Sequence, residues 1–420
     1  MRKPIAILLA LSLLCAGCTA AQNGPGTAPP TTTTTVPKPT QNDYSRAVVL
    51  TASYPDGKPN YTLHTNIPTD FTYRSAAAVL SAGGDNAAYS PMSLYFALMM
   101  LREGTSGTTR TQLDALLGST AAEAKKQYER LYRDNEYGKL LIANSLWTTD
   151  KVTYRQEFVD AVQQNFYASL MRTQFGEVAN GQMTKWVSDN TGGLLAPVFE
   201  SNDLTVLELL NAIYMKAQWH DEFFTDQPGT FTSVSGEKST VDYMTRTVLN
   251  ATVWKTANAT RVQLGTSVGA MSFVLPDEGT NVSALVSDAD ALQEALTGGA
   301  EQQVKLYLYL PKVDLSAETD LTVALRSLGC GDLFSKPNPD LSGLIEDPLP
   351  LMISTLRQGV RLIWDEEGVT GGAYTEIAVD GTAMPPSRPE LTLRFDRPFL
   401  YAATADNGDV IFTGTVTALG

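Results

Sequence analysis

Histidine is nearly missing from this chain: His64 and His220 are the only two in 420 residues. Neither has a nucleophile partner that the sequence suggests, so a Ser-His-Asp hydrolase and a histidine metal centre are not expected. Cysteine is almost as scarce, with three residues, and Cys15 and Cys18 fall at the end of a signal-like segment. Cys330 is left alone, which excludes a disulfide framework and a thiolate zinc site; its expected place is in the core, as a small hydrophobe. Positive charge is also short: 31 Lys and Arg against 45 Asp and Glu give a net charge of -14. A field of that sign repels nucleic acid and anionic lipid surfaces, so neither is an expected partner. Nor is any metal or cofactor. What is present is an ordinary globular composition, 43% hydrophobic and 18% charged, enough for one large domain or two smaller ones.

Arg2 and Lys3 precede an apolar run at 5–14, the charged and apolar regions of a secretory signal and too short to span a bilayer. The next residues, Cys15, Ala16, Gly17 and Cys18, resemble a bacterial lipobox, with Cys15 where Leu is usual. The resemblance implies a signal over 1–17 and a lipidated Cys18 as the new N-terminus; an ordinary signal cleaved nearby is the alternative. Residues 19–41 are Thr, Pro, Ala and Gly with almost no large apolar side chains, so they form no core. Extended at ~3.1 Å per residue, they would lift a domain roughly 60 to 70 Å from a membrane. The expected organisation is a lipidated linker over 18–60 and a single domain over 61–420, monomeric and on the outer side of the cell membrane, or secreted if not lipidated.

Within the body, Ser90 followed by Pro91 marks a helix start, and Leu94, Leu98 and Leu101 mark one face before Gly104 ends it. A second helix follows Thr108, and Phe158, Val162 and Phe166 define another by their i, i+4, i+8 spacing. Residues 140–147 pattern as a strand, and 207–219 is apolar on both faces, as a central covered strand requires. The second half carries short β-like runs at 270–275, 304–310, 361–364, 391–395, 399–403 and 410–416, with helical periodicity returning at 320–328. Helices first and strands later indicate an α+β fold with mixed or antiparallel sheets.

Several segments together resemble the serpin family: YSPMSL at 89–94 with GTSGTT after it, LLNAIYMKAQW at 209–219, FVLPDEG at 273–279, LYLPKVDL at 308–315 with LGCGDLF, DLSGL at 340–344, DEEG at 365–368 and DRPFLY at 396–401. The resemblance implies three β-sheets with about nine helices and an exposed reactive loop at about 366–390. It implies a hinge at Glu366, Glu367, Gly368, Val369, Thr370, Gly371, Gly372 and Ala373. It further implies a cluster controlling the opening of the main sheet, at Ser90, Ser93 and Asn211, where a histidine usual in the family falls at Gln358. Gln also donates and accepts hydrogen bonds. Trp219 matches the family's tryptophan at the top of that sheet.

The function implied is irreversible inhibition of a serine protease, or sometimes a cysteine protease, whose acyl-enzyme is dragged away as the cut loop becomes a new strand. The loop residues suit this. Val369, Gly371, Ala373, Thr375, Ile377, Val379 and Gly381 form one alternating set, and Thr370, Gly372, Tyr374, Glu376, Ala378, Asp380 and Thr382 the other. The first is small or apolar and can be buried; Tyr374, bulky for the family, falls on the outer face. Roughly twenty backbone hydrogen bonds at ~0.5–1.5 kcal/mol each would release about 10 kcal/mol or more. Counting sixteen residues on from Glu366, as the family does, puts the cut bond between Thr382 and Ala383, a site for an elastase-like or subtilisin-like enzyme. This loop is longer than in compact family members, so Ala383, Met384 and Arg388 are alternatives. A non-inhibitory surface protein of the same fold that binds a ligand or cell partner is the competing function.

Overall fold

The computed structural model describes residues 43–45, 47–50, 66–82, 86–133, 140–335, 340–347, 351, 353, 356–369 and 388–420. In chain order these form β1 (Val48–Leu50), α1 (Thr69–Leu80), β2 (Ala87–Tyr89), α2 (Pro91–Arg102), α3 (Gly107–Leu117), α4 (Ala121–Arg133), β3 (Leu140–Thr149), α5 (Gln156–Phe166), β4 (Ser169–Thr173), α6 (Glu177–Asn190), β5 (Leu207–Met215), β6 (Ala217–Gln218), β7 (Phe224–Thr225), β8 (Gly229–Thr232) and β9 (Lys238–Val241). There follow β10 (Tyr243–Lys255), β11 (Ala259–Gly265), β12 (Gly269–Pro276), α7 (Ala289–Thr297), β13 (Ala300–Pro311), β14 (Val313–Asp320), α8 (Thr322–Ser327), β15 (Arg357–Trp364), β16 (Gly368–Val369), β17 (Glu390–Arg394), β18 (Phe399–Ala405) and β19 (Val410–Val416). Two 3-10 turns, Val282–Val286 and Gly331–Phe334, complete the set.

Helix α2 begins where its sequence dictates. Ser90 is extended, its hydroxyl accepts from the Ser93 amide at 3.2 Å, and Pro91 takes the first helical position with its φ preset. The expectation of a single apolar face understates the burial, because every residue from Pro91 to Leu101 is buried. A helix apolar all round belongs inside, and α2 packs between β5 and β19. The periodicity at 320–328 yields only the short α8; Asp320 ends β14, and its carboxylate accepts from the Thr322 amide at 2.8 Å.

The architecture is α+β, with eight α-helices among the described residues. A nine-stranded sheet runs β17-β13-β10-β11-β12-β18-β19-β2, with β7 on β10. Two four-stranded sheets run β1-β4-β3-β5 and β14-β15-β16-β6, and β8 pairs with β9 alone. The strand expected over 207–219 is thus divided at Lys216: β5 pairs with β3, and β6 with β16. Hydropathy reports burial, and both pieces are buried; which edge each one pairs is a separate matter. Strands β5 and β15 thus stand in separate sheets. Part of the expected linker is also structured. Val48–Leu50 pairs with β4, because Ala47 is buried with Trp147, Met183 and Trp186, and the Tyr44 ring stands edge-on to Trp147 at 6.5 Å. The Tyr44 hydroxyl donates to Asp189 on α6 at 3.0 Å.

A parted sheet as the candidate functional site

The slot lies between β5 and β15. Among the described residues β5 pairs only with β3, and β15 only with β14 and β16, so each presents one strand edge to the gap. Gly368 and Val369 close its top. Val369 stands opposite Trp364 on β15 and Ala217 on β6, and it is fully buried. Gly368 has φ +153, and a Cβ there would lie 2.2 Å from the Ala217 carbonyl oxygen, so only glycine lets the chain pass β6 at this distance.

An acidic turn fixes this arrangement. The Asp365 carboxylate accepts from the amides of Glu367 at 3.0 Å and Gly368 at 3.3 Å, and the Asp365 carbonyl accepts from the Trp219 indole at 2.7 Å. Trp219 itself packs edge-on against Phe223. Glu366 takes a 2.7 Å ion pair from Lys312 and a 2.7 Å hydrogen bond from the Thr225 hydroxyl. Burial works to raise its carboxyl, but those two partners and the Lys312 charge outweigh it and hold the group below the usual carboxylate range. Glu367 is exposed.

Beneath the slot is a polar hub in apolar surroundings. The Ser90 amide donates to Gln358 Oε1 at 2.7 Å, and Gln358 Nε2 donates to the Ser90 carbonyl at 3.0 Å. Ser90 Oγ donates to the Ile411 carbonyl at 2.6 Å. Ser93 Oγ donates to Asn211 Oδ1, and Asn211 Nδ2 donates to Asn144 Oδ1 at 2.7 Å. Helix α2 is thereby bonded to β15 through Gln358 and to β5 through Asn211, one link for each side of the gap. Gln358 replaces a titratable ring with an amide that makes both bonds to one backbone unit.

The lower slot opens into a cavity of about 390 Å³ under the segment that joins α6 to β5. Leu195, Val198, Phe199 and Leu204 supply apolar walls; Glu208 of β5 and Arg357 of β15 face it from opposite sides. Burial pushes the Glu208 carboxyl up to about 7, against the opposing pull of Arg357. Arg357 pairs at 3.4 Å with Glu318 instead.

The structure therefore brings together Ser90, Ser93, Asn211 and Gln358 in one hub, and Trp219, Glu366, Glu367, Gly368 and Val369 at the slot head. Thr370, Gly371, Gly372, Ala373, Thr382, Ala383 and Met384 lie outside the described residues, as do Cys18 and His64. Arg388 is half-buried next to exposed Pro389, whose carbonyl accepts from the Lys305 amide. His220 is exposed, and Cys330 is buried with its thiol pushed up to about 11 by burial. Sequence reasoning missed Asn144, Lys312, Thr225, Glu208 and Arg357. Asn144 carried a signal, an amide inside an apolar strand; the Lys312–Glu366 pair did not, since its members meet only through the fold.

Among the described residues, the sheet edges of β5 and β15 face each other across a gap, with Gly368 and Val369 at its head and hydrogen bonds from α2 to both flanks. Comparison with known proteins gives the family. The family model for serpins, serine protease inhibitors, matches residues 66–419, and the chain belongs to that family. It is 25% identical over 365 residues to mouse (Mus musculus) Serpin B11, covering 79% of this chain and 92% of that protein. It is 26% identical over 347 residues to sheep (Ovis aries) corticosteroid-binding globulin, covering 77% of each. The native state of the thermophilic serpin tengpin superposes with a TM-score of 0.75 at 22% identity, covering 90% of this chain and 99% of that one, which shows the shared fold.

Proposed function

We propose that this chain is an irreversible, mechanism-based inhibitor of a serine endopeptidase, and that its cut loop fills the gap between β5 and β15. The observation that carries this reading is Val369, already seated between Trp364 and Ala217 at the head of the gap. In an antiparallel strand each step along the loop is matched by one step back on both neighbours. Continuing that register, Ala373 would fall opposite Val360 and Ile213, both buried. Thr375 would fall between Gln358 and Asn211, at the hub, and its hydroxyl can join those amides. On the outer face, Gly372 would pass between Arg361 and Tyr214, and bulky Tyr374 between Gly359 and Ala212. Large thus meets small on both sides, as cross-strand packing requires, and Glu376 would meet Arg357.

The chemistry is the protease's own. Its serine attacks the carbonyl of Thr382, the amine of Ala383 departs, and strand formation displaces the acyl-enzyme before water completes hydrolysis. Thr382 suits an elastase-like or subtilisin-like pocket. Incubation of the soluble domain with elastase, subtilisin and trypsin should give an SDS-resistant complex with at least one of them, and complete turnover by all three would refute the proposal. The presence of corticosteroid-binding globulin among the relatives keeps a binding protein of the same fold as the second reading. We further propose a lipid on Cys18 that holds the domain outside the cell membrane; Cys18→Ala should then release the protein into the medium.

A further inference from the structure

The cavity under the α6–β5 segment holds a carboxylate, Glu208, to which the trapping reaction gives no role. The cavity lining is mixed: Leu195, Val198 and Phe199 form an apolar side, while Glu200, Glu208 and Glu318 face it against Arg357, which is already paired with Glu318. The Glu208 carboxylate makes no hydrogen bond or ion pair to a described residue, although it stands on a strand whose neighbours Leu207 and Leu209 are buried. A half-buried carboxylate with no hydrogen bond is poorly solvated, and an added cation offsets that loss. The volume, about 390 Å³, falls in the range of small-molecule sites, which combine apolar walls with a few fixed polar groups.

We propose that this cavity is a binding site for a compact amphipathic amine, its apolar body against Leu195, Val198 and Phe199 and its ammonium group on Glu208. An anion is disfavoured, because three carboxylates surround the only guanidinium. Burial holds Glu208 near neutrality, with a value of about 7, so affinity rises with pH as it ionises while the amine stays protonated. The other charged groups facing it are Glu200 on the connecting segment, Glu318 on β14 and Arg357 on β15.

The test is calorimetric titration of the full chain with three probes of one shape: 4-phenylbutylamine, 4-phenylbutanol and 4-phenylbutyrate. The amine should bind one to one with a Kd of about 1 mM or below, a size-appropriate affinity, and tenfold or more tighter than the alcohol and the acid. Glu208→Gln should bring the amine down to the level of the alcohol and abolish a several-fold gain between pH 6 and pH 8. Gly359→Val fills the cavity from β15, where an added Cβ meets only Leu195 at 3.9 Å, and should weaken amine and alcohol alike. Equal binding of the three probes, an unchanged amine affinity in Glu208→Gln, or no saturation by the amine would overturn the assignment. No protease takes part, so this result stands apart from the fate of the trapping proposal.

Discussion

Replacing Gln358 tests the hub directly. Gln358→Ala removes both bonds to Ser90, whose backbone is fully buried. The Ser90 carbonyl keeps the Leu94 amide as donor at 3.2 Å, but the Ser90 amide is left with no acceptor. An orphaned buried amide costs about 1–3 kcal/mol and the second lost bond about 1 kcal/mol, so the hub should lose roughly 2–4 kcal/mol. With an unfolding entropy of ~2.1 cal/mol/K per residue, a domain of this size should lose about 3–5 °C in Tm. Gln358→His separates geometry from charge. A neutral imidazole accepts from the Ser90 amide with one nitrogen and donates to its carbonyl with the other, whereas imidazolium only donates. Burial and the accepted bond depress the folded pKa of such a histidine below its unfolded value of ~6.5, so its contribution is present above that pH and lost as pH falls. Scanning calorimetry should find Gln358→His near the parent Tm at pH 8 and several degrees below it at pH 5.5, with the Gln358→Ala deficit equal at both. A deficit under about 1 °C for Gln358→Ala, or one for Gln358→His that ignores pH, would refute the role given to these bonds.

Three further outcomes follow from the same geometry. Ala373→Glu would bury an unpaired charge against Val360 and Ile213 on strand insertion, so the variant should be cut as an ordinary substrate, read as a tenfold or greater rise in the inhibitor-to-protease ratio needed for full inhibition. Glu366→Ala breaks the Lys312 and Thr225 bonds and should lower Tm by a few degrees at pH 7; because the folded pKa of Glu366 is depressed, the difference should shrink as pH falls below 4.5. Glu208→Gln should gain Tm over the parent as pH rises from about 4.5 to 7, since a raised folded pKa means that ionisation in that interval costs the native state; an unchanging difference would contradict its burial.

Much of this molecule is written locally. The Ser90–Pro91 start, the apolar strand over 140–147 and the β-runs of the second half all appear where spacing and propensity put them, since caps and periodicity act over one or two turns. The split at Lys216 was not legible, because β5 and β6 are equally apolar and differ only in the strand that each one finds. Ser90, Ser93, Asn211 and Gln358 came from a family likeness; from their own sequence they are a cap, a hydroxyl and two amides. Their convergence depends on Asn144 and Ile411, which lie far away in the chain. Glu208 shows the limit most clearly. It sits in a run of leucines, and only the packing of the α6–β5 segment over it turns a surface carboxylate into a half-buried one.

Gly368 gives the whole apparatus a threshold a single methyl group wide. Because an added carbon would collide with the Ala217 carbonyl in the resting molecule itself, a Gly368→Ala chain should keep its hub but lose the seat of Val369 against β6. Such a protein would be loosened at the head of the gap before any protease arrives, a defect that thermal melting should register.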